Sequence, residues 1–210
     1  MQGQRPSIQR FITGASLLAS FVSCNQKRQP ELPMFNNVRR SEVEFPTNAL
    51  PIAVTRIQPP GAPPYDLITP IPHETMFKQG LAREAVVGRL KRLSDIERAG
   101  GFGPEDFIPS PIFTEFLHRV VAKHAPELVD YQNQAKKQHE GWVYVIDGRT
   151  DRSKNPIPPR DILGAFAVHG GIIMPNSYRP NDQYVLFNQE GFFRLHKMLT
   201  SKLMEELLAL

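Results

Sequence analysis

The residues best placed to do chemistry are charged and aromatic groups gathered at turns in the C-terminal third of the chain. Asp147, Arg149 and Asp151 alternate directly after an aromatic, β-branched run. On a loop beyond a strand, such an alternation of acid and base can bind a cation, a polar sugar or a partner side chain. Asp147 with Gly148 also has turn chemistry and the other charges can pair on the surface, so a structural use of the same residues stands beside the binding one. His169 precedes Gly170 and Gly171 in a second turn, where an exposed imidazole can transfer a proton near neutral pH. Tyr178 and Arg179, with Asn181 and Asp182 behind them, are of the residue types that recognition surfaces favour. Asp147, Arg149, Asp151, His169, Tyr178 and Arg179 are therefore the expected binding residues.

No catalytic set, no metal ligands and no cofactor are expected. His73-Glu74 is followed by Phe77 at the place where a zinc protease carries its second histidine, and no phosphate-binding glycine loop or nucleophile elbow is present. The 147–151 spacing does not supply the ligand series of a calcium loop. His118 and His124, six residues apart, do not stack on one helix face as paired ligands would. The single cysteine, Cys24, excludes an internal disulfide and any site of several thiolates. The formal charge is only +4, from 25 basic and 21 acidic residues, which does not suggest a nucleic-acid partner, since such proteins concentrate basic charge on one face.

The elements that must position these residues follow from periodicity. Phe77, Leu81, Val86, Leu90 and Leu93 recur at roughly helical spacing and predict a helix through residue 93, its basic run of Arg89, Lys91, Arg92 and Arg98 forming a solvated face. Ser94 and Glu97 resemble a capping box for a further helical turn. Ser110 and Pro111 open a clearer helix that places Phe113, Phe116, Leu117, Val120, Val121 and His124 on one face, and Pro126 restarts a more polar helix to about His139. From Gly141 the period changes to two. Residues 142–146 and 163–168 predict strands, His169-Gly170-Gly171 a hairpin turn into residues 172–174, and residues 184–187 a fourth strand. Leu195, Met198, Leu199, Leu203, Leu207 and Leu210 predict a C-terminal amphipathic helix. The expected fold is α+β, a helical N-terminal half packed on a small, mainly antiparallel sheet.

Ahead of this domain, placed at residues 73–210, ten prolines fall between Pro30 and Pro72. Proline fixes φ and supplies no donor, so residues 24–72 read as a largely extended tether, with residues 52–57 as one strand-like piece able to pair with a sheet edge.

The N-terminus reads as an address. Arg5 and Arg10 are followed by 13 uncharged residues that end at Cys24, the order of a secretory signal. As a helix that run reaches only about 20 Å, against a hydrocarbon core of about 30 Å. Phe21-Val22-Ser23-Cys24 resembles the lipobox of bacterial lipoprotein precursors. The resemblance covers residues 1–24 and implies that residues 1–23 are a signal peptide and that Cys24 becomes the lipidated N-terminus. It also implies acylation there, palmitate included, and several acyl chains hold a protein stably on a membrane where one does not. Asn25 and Gln26 carry no acidic retention signal, which favours the outer membrane facing the periplasm.

Together these features suggest a cell-envelope lipoprotein that binds a protein or a cell-wall polymer without catalysis. An immunity-type protein that neutralises a toxin, or a hydrolase using Asp147, Asp151 or His169 on envelope material, are the alternatives. The expected mature protein begins at an acylated Cys24. Intact mass of the membrane-fraction protein should show the loss of residues 1–23 with added acyl groups, and Cys24→Ala should abolish both the acyl mass and membrane association. A full-length, unmodified chain in the cytosol would refute this address.

Overall fold

The computed structural model describes residues 50–91, 103–150 and 156–210. Cys24, the Ser94 and Glu97 pair, Arg92, Arg98 and Asp151 lie outside these residues.

The fold is α+β, but its N-terminal half is a sheet where helices were expected. Strands β1 (Ala53–Ile57), β2 (Tyr65–Thr69), β3 (Gly88–Leu90) and β4 (Phe107–Pro109) pair antiparallel in that order. A short helix, α1 (His73–Gln79), and a tight turn over Arg83–Ala85 connect β2 to β3. The helical spacing of Phe77, Leu81, Val86 and Leu90 is therefore a coincidence of mixed origins, and Leu93 lies outside the described residues. Phe77 is 59% exposed on α1, whereas Leu90 is buried through the alternation of a strand, with Arg89 exposed beside it.

The expected boundary at residue 73 also falls inside the folded unit, because Leu50, Ile68 and Ile71 belong to the core. The prolines punctuate this region instead of keeping it out of the sheet. Pro59, Pro60, Pro63 and Pro64 sit in the connection between β1 and β2, whose ladder closes at Ile57 and Tyr65. Ala62 N donates to Pro59 O across that turn, and Gly61 supplies its positive φ of 71°. The strand-like piece at residues 52–57 is β1 itself.

After β4 the predicted elements are found. Helix α2 (Pro111–His124) is capped by Ser110, whose Oγ accepts from Phe113 N at 3.3 Å, and has Pro111 in its first turn. It buries Phe113, Phe116, Leu117, Val120 and Val121. Helix α3 (Val129–Gln138) leads into the second sheet, in which β5 (Gly141–Ile146) pairs with β6 (Ile162–His169). Strand β6 turns at Gly170 and Gly171, both at positive φ, into β7 (Ile172–Ile173) and also pairs with β8 (Arg179–Pro180). An added Cβ at Gly164 would stand 2.5 Å from Arg179 O and 2.6 Å from the Tyr178 phenol oxygen, so only glycine lets β8 lie this close to β6.

The expected fourth strand at residues 184–187 is reduced to β9 (Phe187–Asn188), which forms a two-rung hairpin with β10 (Gly191–Phe192). The final helix, α4 (Lys197–Leu208), buries Leu199, Leu203 and Leu207, with Leu195 buried just ahead of it. Met198 and Leu210, expected on the same face, are exposed. No helix among the described residues is long and apolar enough to cross a membrane.

Helices α2 and α4 are also joined by polar contacts. Glu206 Oε1 accepts from Lys123 Nζ at 2.8 Å and meets His124 Nε2 at 2.7 Å, and these hydrogen bonds hold its carboxyl below the usual value. A carboxylate favoured in this way stabilises the fold above its unfolded pKa, and the contribution is lost as pH falls through the lower, folded value. Glu206→Gln should therefore cost about 0.5–1 kcal/mol at pH 7. Denaturant titrations of both proteins should show that difference shrinking as the solution is acidified below pH 4.5. A gap that persists in acid would assign the loss to packing.

Candidate functional site

The charged loop after β5 turns inward. Asp147 is fully buried, and its carboxylate accepts four hydrogen bonds: from Arg149 N (2.8 Å), Arg149 Nη2 (2.8 Å), the Tyr184 hydroxyl (2.6 Å) and Arg194 N (3.0 Å). Arg149 also donates to the carbonyls of Val185 (2.6 Å), Gly191 (2.6 Å) and Leu186 (3.5 Å), while its Nε is buried without a partner. Burial and the adjacent Asp147 carboxylate push the Tyr184 phenol well above its ordinary pKa, so it remains a donor. These two predicted binding residues fasten the chain to itself and offer nothing to a ligand.

The other predicted residues are scattered. His169 sits in the exposed β6–β7 turn, where its Nδ1 lies 3.1 Å from Glu140 Oε2 and Glu140 Oε1 accepts from Gly170 N at 2.9 Å. Those bonds lower the Glu140 carboxyl. In the antiparallel ladder Gly141 faces Val168 and Ile146 faces Ile162, so Asp147 and His169 stand at opposite ends of the sheet. They do not converge as an acid and base would have to. Tyr178 turns towards α2, with its hydroxyl 2.9 Å from His118 Nδ1 and its ring 4.9 Å from Phe166. Burial raises this phenol and lowers His118, against the opposing charge of Asp182. Among the described residues no three His, Cys, Asp or Glu side chains gather as metal ligands would.

Arg179 contributes to an accessible surface shared by β5, β6 and β8. Paired residues of adjacent strands point to the same face. Ala165 of β6 pairs with Tyr144 of β5 and with Arg179 of β8, and Trp142 lies two residues from Tyr144 on that same face. The Arg179 guanidinium stacks over the Trp142 ring at 5.0 Å. The opposite face carries the buried Val143, Val145 and Phe166 into the core.

Beside this face lies a concavity of about 480 Å³. Tyr144 and Ile146 form its floor, and Asp130, Asn133, Gln134 and Lys137 line one wall. Those four wall positions recur at helical spacing on α3 and so share one stripe. His196 completes the rim. Its Nδ1 accepts from Met198 N at 3.3 Å as the cap of α4, which leaves Nε2 facing Asp130 Oδ2 at 3.2 Å. The site thus offers a half-exposed phenol ring, two side-chain amides, a carboxylate and an ammonium group.

Apart from Arg179, none of these residues was expected. The alternation of Trp142, Tyr144 and Ile146 against two buried valines, together with a helix stripe of amides and charges, was the available signal. Comparison with protein families, with curated proteins and with solved structures finds no match for this chain.

Removing one member of a buried ion pair strands the other, at a cost of about 3–5 kcal/mol. Asp147→Ala should lose stability on that scale in denaturant titration, and Tyr184→Phe, which removes one hydrogen bond to the carboxylate, about 1–3 kcal/mol. If Asp147 were kept for a ligand, its loss would leave the unfolding midpoint unchanged.

Proposed function

We propose that this protein is a lipid-anchored module of the bacterial cell envelope, held at Cys24, whose α3–β5 face binds a cell-wall polymer. The observation that carries the reading is the juxtaposition of the Tyr144 ring with the amide-rich stripe of α3. A glycan presents hydroxyls around an apolar ring face. It is matched by an aromatic surface flanked by groups that both donate and accept, as the Asn133 and Gln134 amides do. Lys137 and Arg179 are suited to the carboxylates that such polymers carry. A protein-binding patch would present a desolvated aromatic or apolar centre, whereas most groups lining this concavity are polar. A role in binding rather than turnover is supported by the use of Asp147 and Arg149 within the fold.

The full-length chain should cosediment with purified peptidoglycan sacculi. Tyr144→Ala and a combined Asn133→Ala, Gln134→Ala variant should each weaken that binding about tenfold, equivalent to 1.4 kcal/mol, with little change in melting temperature because these side chains are exposed. Equal retention of all three proteins on sacculi, or none at all, would reject the polymer as ligand.

A further inference from the structure

A second concavity, of about 610 Å³, opens between the start of α2 and the segment before β9. Its volume is in the range of specific ligand sites, and its chemistry is the reverse of the α3–β5 face. Phe107, Pro109, Val185 and Phe187 give it an apolar lining, and the Phe107 and Phe187 rings meet edge to face at 5.6 Å, which stiffens the floor. Val185 is 38% exposed, and Phe107 and Phe187 each keep 9% of their surface open.

The ionisable lining groups are Glu115, His118, Asp182 and Tyr184, with no lysine or arginine among the described lining residues. His118 and Tyr184 are already hydrogen-bonded, to Tyr178 and to Asp147. Burial keeps the His118 imidazole neutral near pH 7. Glu115 and Asp182 are exposed, and neither forms an ion pair or hydrogen bond with another described residue. The groove therefore holds two carboxylates that no described residue pairs, on an apolar surface, in a chain whose overall charge is +4.

We propose that this groove docks a partner polypeptide through a segment in which an arginine or lysine stands beside apolar side chains. The apolar residues would cover Phe107, Val185 and Phe187, and the cation would neutralise Glu115 and Asp182. A carboxylate-bearing polymer is repelled here, so this docking is independent of the polymer reading. The net positive charge of the chain works against indiscriminate attraction of a cationic peptide, which makes binding of one informative.

The test uses the full-length chain and two fluorescent heptapeptides, one of alternating leucine and arginine and one with glutamate in place of each arginine. The arginine peptide should bind at least about tenfold more tightly than its counterpart. Combined Glu115→Gln and Asp182→Asn should remove that preference while sacculus binding is unchanged. Combined Glu115→Lys and Asp182→Lys should reverse it, which separates recognition from loss of folding. Equal binding of the two peptides, or an arginine preference that survives both double variants, would overturn the proposal. Concentration-dependent dimerisation abolished by the same substitutions would overturn it as well, by giving the groove to a second copy of this chain.

Discussion

The segment between β8 and α4 is fastened by one buried ion pair. Withdrawing a carboxylate and a guanidinium from water is costly, and the cost is offset only where nearly every polar atom finds a partner. Asp147 accepts four hydrogen bonds, and the Arg149 nitrogens Nη1 and Nη2 each reach two acceptors. Three of those acceptors are backbone carbonyls of residues 185, 186 and 191. Gly148 N adds a bond to Arg194 O at 2.7 Å. The segment held in this way contains only the two-residue strands β9 and β10, so its own ladder is too short to fix it. Once fixed, it delivers Phe187, Phe192, Phe193 and Leu195 to the core and sets the start of α4.

Both concavities take a wall from that segment. His196 closes the polar one, while Tyr184, Val185, Leu186 and Phe187 border the apolar one. Their opposite chemistries come from the elements that meet it: the amide and charged stripe of α3 in one case, and the first turns of α2 with β4 in the other. Strand β5 shows the same division within five residues, since Val143 and Val145 enter the core while Trp142, Tyr144 and Ile146 face outward. Alternation at period two is what allows one strand to serve stability and recognition together.

The parts of the fold that could be read from sequence are those with a long period or a local stop signal. Helix α2 has a serine cap, a first-turn proline and five buried residues in register, and β6 with β7 is marked by two glycines at positive φ. The first sheet was hidden because its strands are three to five residues long, too short for alternation to stand out. Its prolines, moreover, fall in the turns that delimit the strands. The site was harder still. Asp147 and Arg149 carry the residue types of a binding loop, and nothing local shows that their partners are carbonyls more than 35 residues away. Tyr144, Asn133 and Gln134 look like ordinary solvent-facing positions until α3 is laid beside β5.

Perturbed ionisation in this protein follows structural use. A titratable group shifted by burial and a specific partner is often a mark of catalysis. Here burial is the main cause of the shift at Tyr184, Tyr178 and His118, joined at Tyr184 by the Asp147 carboxylate it donates to, while Tyr178 and His118 lose water where they meet between β6 and α2. Both phenols are raised and the imidazole is lowered, so all three are neutral near pH 7 and act as hydrogen-bonding groups. Among the described buried carboxylates, Asp147 is paired with Arg149 and Asp66 with Arg56. Among the described residues, exposed charges border both concavities, Asp130 and Lys137 at the polar one and Glu115 and Asp182 at the apolar one. On the two proposals made above, such a chain would separate an anionic polymer from a cationic segment without moving any element of its fold.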